Sequence, residues 1–245
     1  MSAEFFLLLA AGSIAGGFIN GLAGFGTSLF ALGWWLQIMS PLEAVAIVLF
    51  MSVTSGIQGL VLVWGSINWP RLSRFLIPAL IGVPIGLQLL SVIDPDLLKA
   101  TIAAFLILYG GFFTFKKGLP NFDRPTHLLD ALIGFMAGIL GAIAGLSGAL
   151  PTMWIALRPW PKSEQRAVLQ PFNMIILSVA AVLLAVQGAY SKTVLANLLI
   201  VLPLSLVSAF IGIIVFKKLE DNQFRRLLII LLLLAGIILI VRELV

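Results

Sequence analysis

Apolar residues run along this chain in long blocks, and polar residues gather in the short gaps between them. About 20 apolar residues span a bilayer core. Six blocks fit simple spans, at roughly 42–63, 75–93, 97–115, 164–187, 193–216 and 222–241. Two more, 4–37 and 128–157, are too long for one ordinary span. Each of these two has a centre rich in Gly, Ala and Ser, whose glycines weaken a helix. The pattern predicts an all-α integral membrane protein of about eight membrane segments. The start "MSAEFFLLLAAGSIAGG" has no basic leader and carries Glu4, so it reads as the first membrane segment and not as a cleavable signal.

The pattern also repeats. "INGLAGFGTSLF" at 19–30 lies over "LGAIAGLSGALP" at 140–151, an offset of 121. "IPALIGVPIGLQLL" at 77–90 lies over "LPLSLVSAFIGIIVF" at 202–216, with Gly86 on Gly212. "IDPDLLKATI" at 93–102 lies over "LEDNQFRRLLI" at 219–229, an offset of 126. Three matches in one order predict a duplication, a common plan in transporters. The repeats are 1–118 and 126–245. The stretch "KKGLPNFDRPTH" joins them, with the linker itself at 119–125, and its prolines and glycine read as a loop.

Charge decides the topology. If every segment crosses once, the 15 Lys/Arg divide almost evenly between the two sides. If the two long segments are broken hairpins that enter and leave on one side, each repeat makes three crossings and the repeats are inverted. Twelve basic residues then share a side: Arg71, Arg74, Lys116, Lys117, Arg124, Arg158, Lys162, Arg166, Lys217, Lys218, Arg225 and Arg226. Only Lys99, Lys192 and Arg242 face the other. Basic loops belong in the cytoplasm, so the hairpin plan is preferred. It gives two inverted repeats, each a broken Gly-rich hairpin plus three transmembrane helices, in the inner membrane with both termini outside.

Composition narrows the chemistry. The chain is 61% hydrophobic and 10% charged, against about 25% charged in soluble domains. It has no Cys and one His, His127, in a polar connector. Without Cys a thiolate metal site is impossible, and a single histidine in a connector disfavours metal clusters, haem ligation and Ser-His catalysis. No catalytic residue, metal or cofactor is expected, and an enzyme is disfavoured. The net charge of +5 fits cytoplasmic loops better than a nucleic-acid partner. The partners expected are the lipid bilayer and a small anion; oligomeric state is not specified.

Non-helical backbone at membrane depth survives only inside protein or beside water, and broken segments of this kind form substrate sites in transporters. The hairpin tips, near 20–28 and 141–151, are expected to meet near the midplane. Charges in the simple spans lie near the ends, at Glu43, Lys99, Glu164 and Arg166, where they can reach the interface. Uncharged donors remain. Asn20, Thr27 and Ser28 stand in hairpin 1 with Gly24 and Gly26, and Ser147 stands in hairpin 2 with Gly145 and Gly148. Ser52, Thr54, Ser55 and Gln58 follow in the next span. Gln170 and Asn173 flank Pro171 on one face of the matching span. Helix N-termini beside such groups suit a small, hard oxyanion; a cation would want a carboxylate. A second reading stays open: small residues pack membrane helices, and the amides make helix–helix hydrogen bonds. Trp34, Trp35 and Trp154 fit interfacial aromatics. Ser163 is expected to cap a helix, Pro151 to start one at its first position, and Asp94, Asp96, Glu220 and Asp221 to open the last span of each half.

The heads "GFINGLAGFG" and "GILGAIAGLSG", the stretch "IPALIGVPIGLQLL…IDPDLLKATIAAFLILYGG" and the four-plus-four duplication resemble the sulfite exporter TauE/SafE family, also called TSUP or DUF81. The resemblance covers nearly the whole chain. It implies a cytoplasmic-membrane transporter of small anions, often sulfur-containing: sulfite, sulfoacetate, thiosulfate or related organosulfonates. Where many members carry three glycines in the first head, this chain has "GFGTSL", and its second head reads "GLSGAL" before Pro151. Thr27, Ser28 and Ser147 therefore stand at the tips. The expected function is export of a small sulfur anion by alternating access; the alternative is an anion channel or an uptake permease for a different small anion.

Overall fold

A computed structural model describes residues 3–94, 96–98, 100, 101, 104, 107, 108, 111, 122, 126–220, 223, 224, 227 and 230. The spans expected at 97–115 and 222–241 lie largely outside the described residues. So do most of the linker at 119–125, Lys99, Lys116, Lys117, Arg124, Asp221, Arg225, Arg226 and Arg242.

The described chain is helical. Helix α1 covers Ala3–Ala23, α2 Thr27–Trp35, α3 Pro41–Val63 and α4 Trp69–Leu90. Helix α5 covers His127–Ala144, α6 Ala149–Ile155, α7 Lys162–Val186 and α8 Lys192–Lys218. Among the described residues six helices are long and apolar enough to cross a membrane: α1, α3 with its 3-10 turn, α4, α5, α7 and α8. Their outer faces carry exposed Ile57, Val61, Ile77, Ile81, Leu199 and Val207. Such side chains are stable facing lipid and costly facing water.

Both overlong segments break. Gly24 and Gly26 take φ of 82° and 90° between α1 and α2, and Gly145 takes 64° between α5 and α6. Each of these φ values lies where glycine alone goes without strain. Helix α2 then retraces α1: Trp35 Nε1 donates to the Leu9 carbonyl at 3.2 Å, and a Cβ on Gly16 would stand 2.9 Å from the Thr27 carbonyl. Helix α6 likewise retraces α5, with Ser147 against Gly141 and Trp154 Nε1 donating to Asp130 Oδ1 at 2.7 Å. The arms are unequal. The 21 residues of α1 reach about 31 Å, whereas α2 has 9 residues and α6 has 7.

The closest helix pairs join the first half of the chain to the second. Helix α1 packs along α8, α4 along α5, and α3 along α7. Glycine permits the first two. A Cβ on Gly17 would strike Ser205, and one on Gly138 would strike Ala79. One on Gly212 would strike the Phe18 carbonyl, and one on Gly86 the Ile139 carbonyl. Backbone this close needs small residues. Pro78, Pro84, Pro171 and Pro203 lie inside helices that continue through them.

Several local expectations are corrected. Trp35 is fully buried and hydrogen-bonded, so it is no interfacial anchor. Trp154 serves Asp130 instead of a lipid headgroup. Helix α7 begins before Ser163, after Pro161 in extended backbone. Pro151 is the third residue of α6, still in the first turn where no N–H is required. Asp94 does cap its turn, accepting from the N–H of Asp96 at 2.8 Å and of Leu97 at 3.3 Å.

Candidate functional site

The two breaks meet. Ser28 Oγ, in hairpin 1, donates to the Gly145 carbonyl of hairpin 2 at 2.9 Å. Asn173 of α7 donates its Nδ2 to the Gly24 carbonyl at 2.9 Å and accepts from Ser147 Oγ at 2.6 Å. A left-handed glycine leaves its carbonyl outside the helical ladder, and each of these two is satisfied from the other half.

Beside this junction lies a cavity of about 10 Å³, lined by Asn20, Gly24, Phe25, Gly26, Thr27, Ser52, Gly145, Gln170, Asn173, Met174 and Leu177. It has room for about one water. Ser52 stands at the middle of α3, and Met174 at the middle of α7. Seven expected site residues therefore line one space: Asn20, Gly24, Gly26, Thr27, Gly145, Gln170 and Asn173. Ser28, Ser147 and Gly148 do not line it. Both serines are fully buried and hydrogen-bonded, and Gly148 packs against Phe25 and Asn173.

The amides are largely committed to protein. Asn20 Nδ2 donates to the Ser52 carbonyl at 3.0 Å and to Ser55 Oγ at 2.6 Å. Gln170 Nε2 donates to the Gly56 carbonyl at 3.0 Å. Three buried lining atoms have no hydrogen-bond partner among the described residues: Thr27 Oγ1, Ser52 Oγ and Gln170 Oε1. A buried polar atom without a partner costs about 1–3 kcal/mol, so three around one space mark a place where something else bonds. Thr27 opens α2, whose N-terminus has no side-chain cap. Its first N–H groups also lack helical partners. None of the lining residues is acidic. Two hydroxyls and a helix N-terminus can donate to an anion.

Hairpin 2 contributes less than expected. Of its residues only Gly145 lines the cavity; α6 and its N-cap Gly148 do not. A family model for the sulfite exporter TauE/SafE matches residues 8–239. The chain belongs to this family. No curated protein and no solved structure matches it. As a TauE/SafE protein it is a membrane transport protein of a sulfite exporter family, which agrees with a cavity of donors inside a bundle of apolar helices.

Two features of this TauE/SafE protein escape a reading by hydropathy. Arg166, near the start of α7, is buried instead of reaching the interface. Its Nη1 donates to the Leu22 carbonyl at 3.0 Å and its Nη2 to the Gly21 carbonyl at 2.8 Å. The guanidinium also lies 4.2 Å over the Phe216 ring. At the base of hairpin 2, Asp130 and Arg158 form a buried pair at 3.4 Å, with Arg158 also bonded to Thr126 and the Phe122 carbonyl. That pair ties the two arms of hairpin 2 together and lies away from the cavity lining.

Proposed function

We propose that this protein exports a small sulfur oxyanion, sulfite or an organosulfonate such as sulfoacetate, across the cytoplasmic membrane by alternating access. It acts as a transporter and not as an enzyme. One observation carries the reading: unpartnered Thr27 Oγ1 and Ser52 Oγ meet at the N-terminus of α2, at mid-length of α3 and α7, with no carboxylate in the lining. Asn20, Gly24, Gly26, Gly145, Gln170 and Asn173 complete the proposed site. Ser28, Ser147 and Gly148 hold the tips together around it.

Two inverted repeats, 1–118 and 126–245, form one transport unit in this proposal. The contacts support that plan. The offset of 121 carries Gly17 to Gly138 and Phe18 to Ile139; the offset of 126 carries Ala79 to Ser205 and Gly86 to Gly212. Gly17 meets Ser205 as Gly138 meets Ala79, and Gly212 meets Phe18 as Gly86 meets Ile139. Reciprocal pairing of this kind is what a two-fold relation between halves produces. A cavity with room for one water favours alternation over a continuously open pore, because the tips must part before an anion enters.

The test is sulfite flux in proteoliposomes, first at zero potential and then inside-negative, with sulfoacetate, thiosulfate and sulfate as competitors. The expected result is saturable flux that follows the potential, with the strongest competitor identifying the substrate. Flux that does not saturate would assign a channel. No sulfur-anion flux in folded protein would overturn the substrate.

A further inference from the structure

Arg166 is a buried cation that, among the described residues, donates to two backbone carbonyls and lies over the Phe216 ring. No carboxylate among the described residues pairs with it, and its Nε has no hydrogen-bond partner. An unpaired charge away from water is costly unless something compensates it. Its partners are the last carbonyls of α1, where the helix dipole is negative. Position makes the arrangement informative. Arg166 and Gln170 are four apart on α7 and so share a face. Gln170 lines the cavity; Arg166 stands one turn nearer the start of α7. A Cβ on Gly24 would meet Gln170 Oε1 and stand 3.7 Å from Arg166 Cγ. With no side chain at Gly24, the cavity lining and the arginine stem lie side by side. The same end of the bundle holds Arg71, bonded to Glu164 at 2.9 Å, and Lys217 and Lys218 after Phe216.

We propose that Arg166 is the inner gate of the anion path, latched onto the α1 carbonyls in this closed state and released to a small oxyanion that enters from the basic end. This rests on reading the cavity as an anion site and adds the step that admits the anion. The latch ties the tip of hairpin 1 to α7. Opening it without a ligand would strand a buried guanidinium and two carbonyls. An oxyanion replaces the carbonyls as acceptor and supplies the missing charge, so it binds the open state better than the closed one. Only such a difference in affinity shifts a conformational equilibrium. The gate therefore opens for an anion and stays shut for water or a neutral solute.

The latch predicts sidedness. In right-side-out and everted membrane vesicles, Arg166→Gln should raise the apparent KM for sulfite at least tenfold on the face that carries Arg71. It should leave KM on the other face within twofold. Arg166→Lys should fall between, because an ammonium keeps the charge and loses the planar fork. An unchanged KM on both faces, or an equal rise on both, overturns the gate. Should Arg166→Gln not fold, Arg166→Lys alone decides by the same one-sided criterion.

Thermal unfolding of the purified protein with sulfite, thiosulfate or sulfate separates the gate from the transport reading. Stabilisation of wild type but not of Arg166→Gln supports the gate even where no sulfur anion is transported. Equal stabilisation of both, or of neither, overturns it.

Discussion

Thr27 and Ser52 are the two cavity-lining hydroxyls with no hydrogen-bond partner among the described residues. A hydrogen bond to a charged group contributes about 1.5–3 kcal/mol, and about 1.4 kcal/mol is tenfold in affinity. Thr27→Val and Ser52→Ala should therefore each raise KM for the transported anion about tenfold or more, with Tm unchanged or raised, since no hydrogen bond among the described residues is lost. Flux assays beside thermal unfolding check both; an unchanged KM in both variants removes the cavity from transport. Asn173 behaves differently because both ends of its amide are spent on Ser147 and Gly24. Asn173→Leu strands those partners at about 1–3 kcal/mol each, so a lowered Tm should accompany any loss of flux. Most of the site was legible from uncharged polar residues at the two glycine-rich breaks. Ser52 stood among several serines and threonines of its span, although the offset of 121 sets it against Asn173. Arg166 was misread for a physical reason. Nearness to a segment end suggests reach to the interface, but its partners, the Gly21 and Leu22 carbonyls, come from a segment far away in sequence.

At the scale of helices, glycine sets the spacing. A Cβ on Gly138 would meet the carbonyl, carbonyl carbon and Cα of Ala79, and one on Gly21 would meet the same atoms of Ala209. None of these atoms can rotate away, so the helices must separate. Gly138→Ala and Gly21→Ala should each cost about 1–3 kcal/mol, the usual penalty of overpacking. Gly65→Ala, with nothing within 4 Å, should cost far less. Thermal unfolding of the three in detergent checks the contrast. The six spans among the described residues were easy to find, since apolar length reports the need to cross lipid. Both breaks were marked by glycines that now show positive φ. The partners of each helix were harder, because apolarity is the same whichever helix lies alongside. The unequal arms were also hidden: "GFGTSL" shows that the chain turns but not that α2 ends after 9 residues.

For the whole molecule, contacts joined to charge predict the side of the membrane on which each end lies. Gln170 in the first half of α7 bonds to Gly56 in the second half of α3, while Tyr190 beyond α7 bonds to Ala46 near the start of α3. The two helices are therefore antiparallel. The α3–α4 turn, at Gly65, and the start of α7 share one end; the α7–α8 turn, at Gln187, occupies the other. Arg71, Arg74, Arg158, Lys217 and Lys218 belong to the first end and Lys192 to the second, so the positive-inside rule predicts that the first end faces the cytoplasm. An inside-negative potential then favours outward movement of an anion by about 2.3 kcal/mol per charge per 100 mV. The orientation has a direct test because the chain contains no Cys. A Cβ added at Gly65 would meet nothing within 4 Å and Gln187 is exposed, so a thiol fits at either place. In intact cells, a membrane-impermeant maleimide should label Gln187→Cys at once and Gly65→Cys only after permeabilisation. The reverse pattern would turn the protein over in the membrane. The potential would then oppose movement of an anion toward the end that carries Gln187, and the proposed direction of transport would fall with it.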